Sequence, residues 1–319
     1  MDGMLARLEA SAGGRTLPRR RAVEGHTGGM ADHRKHRSKA SQAETLRVLT
    51  GPVRLADYDP AGTPGFPGKG KKDATELTAA IVPELADLQE RLYANGVADR
   101  DGAPSVLLVL QGMDTSGKGG VIRHVAGLVD PQGVALKAFK APTAQEREHD
   151  FLWRIRNALP RPGMIGVFDR SHYEDVLVVR VDGLVPPEVW EARYEQINAF
   201  EAEVAASGTT IVKCMLHISH EEQRRRLLGR LDDPAKHWKY NPGDVDVRLK
   251  WSAYQEAYEA ALTRCDTDVA PWHIVPSDHE WYRNWAIAQL LRETLAGLGL
   301  RWPAASYDVA AERRRVEAT

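Results

Sequence analysis

The stretch Ser105-Val-Leu-Leu-Val-Leu-Gln-Gly-Met-Asp-Thr-Ser-Gly-Lys-Gly-Gly120 decides the fold. Its apolar half reads as a buried strand over roughly 104–111. Gly112 and Gly117-Lys118 then fit the spacing G-x-x-x-x-G-K of the P-loop phosphate cradle. The segment beyond, with Val121, Ile122, Val125 and Leu128, reads as a helix over 118–128. In such a turn the backbone N–H groups from Gly112 through Thr115, Ser116, Gly117, Gly119 and Gly120 close around phosphate oxygens, and Lys118 reaches the transferring group. A plain Gly-rich turn with a solvated Lys118 is the competing reading, and the strand before and helix after it count against that. Lys118 is followed by Gly119 rather than by the Ser or Thr whose hydroxyl usually holds Mg²⁺. Asp114, inside the loop, can supply the missing metal oxygen. A carboxylate there repels phosphate unless a cation lies between them, so its presence argues for a metal.

Strand and helix alternate along the rest of the chain. Strands are expected at Val134–Phe139, Met164–Phe168, Thr209–Ile218 and Trp272–Val275. Helices are expected from Asp73 (with Glu76 as a capping box) to about Asn95, after the Thr143/Glu146 pair, after Pro186-Pro187, after Ser219/Glu222, and from Ser277/Glu280 to about Leu298. Residues 53–72 read as an extended Pro/Gly-rich arm lying on the domain. The leucine-rich stripe Leu77, Ile81, Leu85, Leu88 and Leu92 is core or subunit contact. Alternation of this length implies a parallel sheet covered by helices on both faces.

Two further constellations carry chemistry. Phe168-Asp-Arg-Ser-His-Tyr-Glu-Asp175 is an apolar strand ending in an acid, the Walker B arrangement. Ligands of parallel α/β sheets sit at the C-terminal strand ends, so Asp169 should arrive beside the P-loop and hold Mg²⁺, with Arg170 aimed at phosphate oxygens. A turn-capping role is the plainer alternative for Asp169. His172, Tyr173, Glu174 and Asp175 either line the pocket or, for Glu174, pair with Arg170 or Arg180. The second constellation, His220 to Lys250, carries Arg224-Arg-Arg226, Arg230, Lys236, Lys239 and Arg248. A basic helical segment in this place reads as a lid over about 219–265 that closes over phosphates and excludes competing water. Arg226 and Arg230 are four apart and share a helix face, where they can clamp phosphates, while Arg224 and Arg225 fall on the solvated side. The candidate metal ligands are Asp114 and Asp169. Lys118, Arg170 and Arg230 complete the catalytic set, with Arg123, Arg180 and Arg226 as further substrate contacts.

In 319 residues with a formal net charge of −1, a full core is affordable and wholesale nucleic-acid binding is disfavoured. Cys214 and Cys265 form neither a C-x-x-C pair nor a metal spacing. No apolar run approaches the roughly 18 residues of a membrane span, and no apolar signal core opens the chain, so a cytoplasmic location is expected. Residues 1–45 read as a disordered basic tail, or as an over-extended gene start with Met30 as an alternative initiator. The kinase domain is expected over 46–303 and a second tail over 304–319.

The three motifs together resemble the polyphosphate kinase 2 family, the polyphosphate:nucleotide phosphotransferases. The likeness rests on Gly112-Met-Asp-Thr-Ser-Gly-Lys-Gly-Gly120, Asp169-Arg-Ser-His-Tyr-Glu-Asp175 and Arg230-Leu-Asp-Asp-Pro-Ala-Lys-His-Trp-Lys239, and it runs from about Val53 to Pro303. The resemblance implies a thymidylate-kinase-like P-loop domain, its parallel sheet sandwiched by helices, with a helical lid. It also implies reversible transfer between inorganic polyphosphate and a nucleoside mono- or diphosphate (AMP/ADP or GMP/GDP). In that family Mg²⁺, or Mn²⁺ in its place, is the cofactor, and the protein assembles as a homo-oligomer, dimer or tetramer. Carboxylates at the Asp114 and Asp169 positions handle metal and acceptor there, and the positions of Lys118, Arg170 and Arg230 contact phosphates. Gly119 is that family's normal pattern. An ATP-dependent nucleoside monophosphate kinase of the same fold is the alternative, though such enzymes generally keep Ser or Thr after the lysine. A non-catalytic nucleotide sensor would need neither carboxylate.

Overall fold

Strand β1, Ser105–Gln111, is buried along its whole length in the computed structural model, which describes residues 40–319. The expected basic tail over residues 1–39 lies outside the described residues. Val106, Leu108 and Leu110 face one side of the sheet and Leu107 and Val109 the other, and both sides are packed with apolar residues. A strand apolar on both faces belongs at the centre of a parallel sheet. The sheet has five strands in the order β2-β3-β1-β4-β5, with every neighbouring pair parallel. The others are β2 (Val134–Ala138), β3 (Ile165–Asp169), β4 (Thr209–His217) and β5 (Trp272–Pro276), close to the spans expected from the sequence.

The helices, in chain order, are α1 (Gln42–Leu46), α2 (Lys71–Ala98), α3 (Lys118–His124), α4 (Trp153–Arg156), α5 (Val178–Val181), α6 (Pro187–Ala206), α7 (His220–Leu231), α8 (Gly243–Leu249), α9 (Trp251–Arg264), α10 (Glu280–Gly297) and α11 (Val309–Glu317). Leu85, Leu88 and Leu92 of α2 and the buried side of α10 cover one sheet face. Tyr194, Ile197 and Phe200 of α6, with the tyrosine face of α9, cover the other. The 53–72 arm lies on the domain as expected. Val53 and Leu55 are buried, the Leu55 N–H donates to Glu259 Oε1 at 2.7 Å, and Phe66 packs on the Trp285 ring.

Several boundary expectations are corrected. Residues 40–45 are not tail: Ser41 and Glu44 form a reciprocal capping box on α1, and the Gln42 and Ala43 N–H groups donate to Glu293 of α10. α2 starts two residues before Asp73, whose carboxylate accepts from the Lys69 N–H instead of closing a box with Glu76. Thr143 and Glu146 do cap each other, but only a 3-10 turn follows, and the chain becomes helical again at α4. Ser219 caps α7, but Glu222 turns to Arg225 and Arg226. Ser277 donates to the Val275 carbonyl and does not cap α10, which begins after His279. The stretch 304–319 contains α11, started by the Asp308 carboxylate accepting from the Ala310 and Ala311 N–H groups. Finally, α9 belongs to the core rather than to the lid. Tyr254, Ala257, Tyr258, Ala261 and Leu262 recur at helical spacing, and that apolar stripe outweighs the basic run before it.

Behind the Walker B strand lies a fully buried ionic network. Lys213 Nζ on β4 donates to Glu201 Oε2 at 2.6 Å, the Tyr173 hydroxyl at 2.8 Å and the Cys265 carbonyl at 2.7 Å. Its charge also sits 5.0 Å from the centre of the Trp272 ring. His172 and Tyr173 both bond Glu201, so these two residues anchor the segment into the core instead of lining the pocket. Charges in such a setting are tolerated only while paired. Glu201→Gln strands Lys213 and should lower the unfolding free energy by about 3–5 kcal/mol, read from urea denaturation. Replacing Lys213 by Met in the same chain should recover much of that loss.

Candidate active site

The P-loop leaves β1 at its C-terminal end. Gly112 has φ +149°, Thr115 +65° and Gly117 +106°, so the loop coils through the left-handed region three times before α3 begins. At Gly112 a side chain is excluded twice over, because a Cβ would stand 2.7 Å from the Leu216 carbonyl oxygen and 2.8 Å from Ser116 Oγ. Lys118 is buried, and its Nζ donates to the Gly112 carbonyl at 2.8 Å. Burial, and next the charge of Arg170, lower its pKa, while Asp114, Asp169 and Glu174 oppose that shift. Thr115 Oγ1 and Ser116 Oγ are buried with no hydrogen-bond partner among the described residues.

Strand register brings the second acid in. Leu110 of β1 pairs with Asp169 of β3, so Asp169 and the loop that follows Leu110 emerge side by side at the same sheet end. The Asp169 carboxylate makes no hydrogen bond or ion pair among the described residues. The next residue, Arg170, has φ +63° and donates from Nη2 to Asp114 Oδ1 at 2.6 Å and from Nη1 to Glu174 Oε2 at 3.4 Å. Glu174 therefore takes Arg170 and not Arg180. Burial raises the Glu174 pKa and Arg170 opposes it. Burial works against the Arg170 charge, but Glu174 and Asp114 outweigh it and hold its pKa above the usual value. The Gln111 amide, with its nitrogen turned to Glu174 and its oxygen to Ser171, completes the bracket. Tyr254, Tyr258, Leu177, Val178 and Val247 form the apolar side of the cavity into which Asp114, Arg170 and Glu174 open.

The lid arginines divide into different tasks. Arg230 donates to the Lys239 carbonyl at 2.8 Å and to Asp244 Oδ2 at 3.1 Å. Asp244 has a raised pKa, from burial first and then from the charge of Asp114, with Arg230, Arg170 and Lys118 opposing, so this lid ion pair lies within electrostatic reach of the loop. Arg226, expected as a phosphate clamp, is instead spent on protein: it donates to the Thr115, Ser116, Ser277 and Asp278 carbonyls and to Glu222. Its helix face was legible, but its partners come from distant segments. Arg180 likewise stacks 4.8 Å over the Trp190 ring and donates to the Tyr194 hydroxyl, joining α5 to α6. Arg123 is exposed on α3 and makes no side-chain bond among the described residues. Gly119 and Gly120 occupy the first turn of α3.

Sequence reasoning missed Arg283, Gln223 and the tyrosine pair. Arg283 of α10 is buried at 1% exposure and donates to the Ser116 carbonyl at 3.0 Å. Gln223 donates to the Asp114 carbonyl at 3.1 Å. No local pattern announces either one. The periodic tyrosines of α9 could have been found from their spacing.

Comparison with known proteins identifies the family and the fold. The family model of polyphosphate kinase 2 matches residues 69–298. An AMP/ADP-polyphosphate phosphotransferase of Meiothermus ruber is 49% identical over 253 residues, covering 79% of this chain and 92% of the relative. An ADP-polyphosphate phosphotransferase of Rhodopseudomonas palustris is 40% identical over 276 residues, 81% of this chain and 93% of the relative. The crystal structure of polyphosphate kinase 2 from Arthrobacter aurescens TC1 superposes with a TM-score of 0.84 at 52% identity, covering 88% of this chain and 98% of that one.

The crowding at Gly112 makes a direct prediction. Gly112→Ala should lower the unfolding free energy by more than about 1 kcal/mol, because both the left-handed φ and the fixed Leu216 carbonyl resist a Cβ. Urea titration of the variant against the parent measures it.

Proposed function

The chain belongs to the polyphosphate kinase 2 family, and from that premise we propose that its P-loop cleft moves a phosphoryl group reversibly between inorganic polyphosphate and a nucleoside mono- or diphosphate, with Mg²⁺ as the cation. The protein is a polyphosphate:nucleotide phosphotransferase of the P-loop kinase fold. The observation that carries the reading is the convergence of Lys118, Asp114 and Asp169 at the ends of adjacent strands, with two unpartnered hydroxyls in the loop between them. Acceptors named for relatives are AMP and ADP. GMP and GDP are proposed beside them.

In this reading the loop N–H groups and Lys118 hold the transferring phosphoryl, and Lys118 exchanges the Gly112 carbonyl for a phosphate oxygen. Arg170 and the lid Arg230 balance charge that spreads over the phosphoryl oxygens in the transition state. The lid, pivoting on α7 and α8, excludes water as a competing acceptor. The donor set suits a hard cation: two carboxylates and hydroxyl oxygens, without sulfur or imidazole. No group of three or more acidic, His or Cys side chains gathers among the described residues. Mg²⁺ needs no such cage, since it is usually held by one or two carboxylates together with substrate phosphates. Asp114 and Asp169 would hold it, with Mn²⁺ able to substitute, and when bound it neutralises repulsion between donor and acceptor phosphates. Among the described residues no helix is long and apolar enough to cross a membrane.

The test is product formation from AMP, ADP, GMP and GDP with polyphosphate as sole donor and Mg²⁺ present. No product from any acceptor would overturn the reading. Asp114→Asn and Asp169→Asn should each abolish most turnover while the thermal transition is retained. Lys118→Ala should cost about 3 kcal/mol of transition-state stabilisation, and Lys118→Arg should rescue poorly because a planar fork does not fit a cradle shaped for an ammonium. Neutralising Arg230 should reduce kcat more than neutralising Arg225, whose side chain is 72% exposed.

A further inference from the structure

The P-loop backbone is gripped from behind by two guanidinium groups that reach it from different helices. Arg283 Nη1, from α10, donates to the Ser116 carbonyl at 3.0 Å. Arg226, from α7, donates from Nη1 to the same carbonyl at 3.2 Å and to that of Thr115 at 2.9 Å. Its Nη2 reaches on to the Ser277 and Asp278 carbonyls at 2.7 and 3.0 Å, and its Nε to Glu222 at 2.7 Å. Both side chains are nine-tenths buried or more, at 10% and 1% exposure. The loop is shaped around them: a Cβ on Gly117 would fall inside the Arg283 guanidinium, and one on Gly120 would stand 2.6 Å from Arg283 Nη2.

A trans peptide is planar, with its C=O and N–H pointing to opposite sides. Holding the Ser116 carbonyl toward the two guanidiniums therefore turns the Gly117 N–H to the far side. That N–H makes no backbone hydrogen bond among the described residues, whereas the Ser116 N–H closes onto the Met113 carbonyl. We propose that Arg226 and Arg283 are positioning residues, a buried double brace that keeps the loop carbonyls out of the phosphate cradle and so presents the Gly117 N–H to the anion. The proposal rests on the P-loop reading above and assigns neither arginine a contact with substrate. Burial lowers the Arg283 pKa to about 10, which leaves it a cation at neutral pH. The brace thus also sets positive charge beneath the anion. Because Arg226 stands one helical turn before Arg230, it fixes the lid's base and the loop to one another.

The test compares the full-length protein with Arg226→Gln, Arg226→Lys, Arg283→Lys and Gly120→Ala, with Arg224→Gln as the exposed control. Three quantities are read: inorganic tripolyphosphate affinity by calorimetry, amide hydrogen exchange across residues 112–120, and kcat at saturating donor. Arg226→Gln and Arg226→Lys should both weaken tripolyphosphate binding at least about tenfold and accelerate exchange in the loop. Lysine should not rescue, since a single ammonium cannot span carbonyls from two segments. Gly120→Ala keeps every charge and improves helix propensity, so a merely structural role predicts a firmer helix and unchanged binding. The brace predicts displaced Arg283, faster loop exchange and weaker binding. Tripolyphosphate affinity within twofold of the parent and unaltered exchange in Arg226→Lys and Gly120→Ala would overturn the proposal. A parent protein that binds tripolyphosphate but transfers nothing would overturn the reaction proposed above while leaving this comparison decisive. One that does not bind it at all would overturn both.

Discussion

The ion pair between Asp114 Oδ1 and Arg170 Nη2, 2.6 Å apart, ties the loop leaving β1 to the loop leaving β3. Both loops depend on it, because each carries a non-glycine residue in the left-handed region, Thr115 and Arg170, which an unsupported chain would avoid. Arg170 in turn is bracketed by Glu174, and Glu174 by Gln111, so a positive charge sits between two carboxylates at the rim of the apolar sheet. In the proposed reaction Asp114 and Asp169 would hold the cation, and Asp114 would then be shared with Arg170.

Charge is distributed around this sheet in two layers. The inner layer, where Lys213 of β4, Glu201, His172 and Tyr173 meet, is closed to solvent and paired except at His172 Nδ1. It ties His172 and Tyr173, which follow Arg170 closely in the chain, to Glu201 in the core. The layer in front contains Asp114, Asp169, Glu174, Lys118 and Arg170, and Asp114, Arg170 and Glu174 of it open to a cavity. Electrostatic preorganisation requires this division, since groups that stabilise developing charge must not themselves reorganise.

The lid meets the loop backbone through α7, by Gln223 and Arg226. Arg226 faces the loop backbone and Arg230, one turn further, faces Asp244 and the cleft. The segment between Arg230 and α9 exposes Trp238, at 78%, while Val247 packs on the core and Lys250 pairs with Asp182. By contrast α9, although continuous with the lid in sequence, is held by Tyr254 and Tyr258 packing into the sheet face. Tyr254 and Tyr258 thereby form one wall of the cavity.

The amino-acid sequence by itself determined the alternation of strands and helices, the P-loop, the acid at the end of β3 and the family. These are local properties: an apolar run of five, glycines at fixed offsets, an acid following Phe168. Local physics reads them because backbone sterics and side-chain periodicity act over a few residues. What tertiary structure alone decided is which of several similar charges does what. Arg226, Arg230, Arg180 and Arg170 are alike in sequence, but their tasks follow from what faces them: four loop carbonyls, Asp244, the Trp190 ring, or Asp114. Arg283 lay in a helix with no local sign of function and proved to be buried beneath the loop, 167 residues from its partner Ser116. A guanidinium is satisfied by acceptors brought from anywhere in the chain, and only the folded packing says which acceptors arrive.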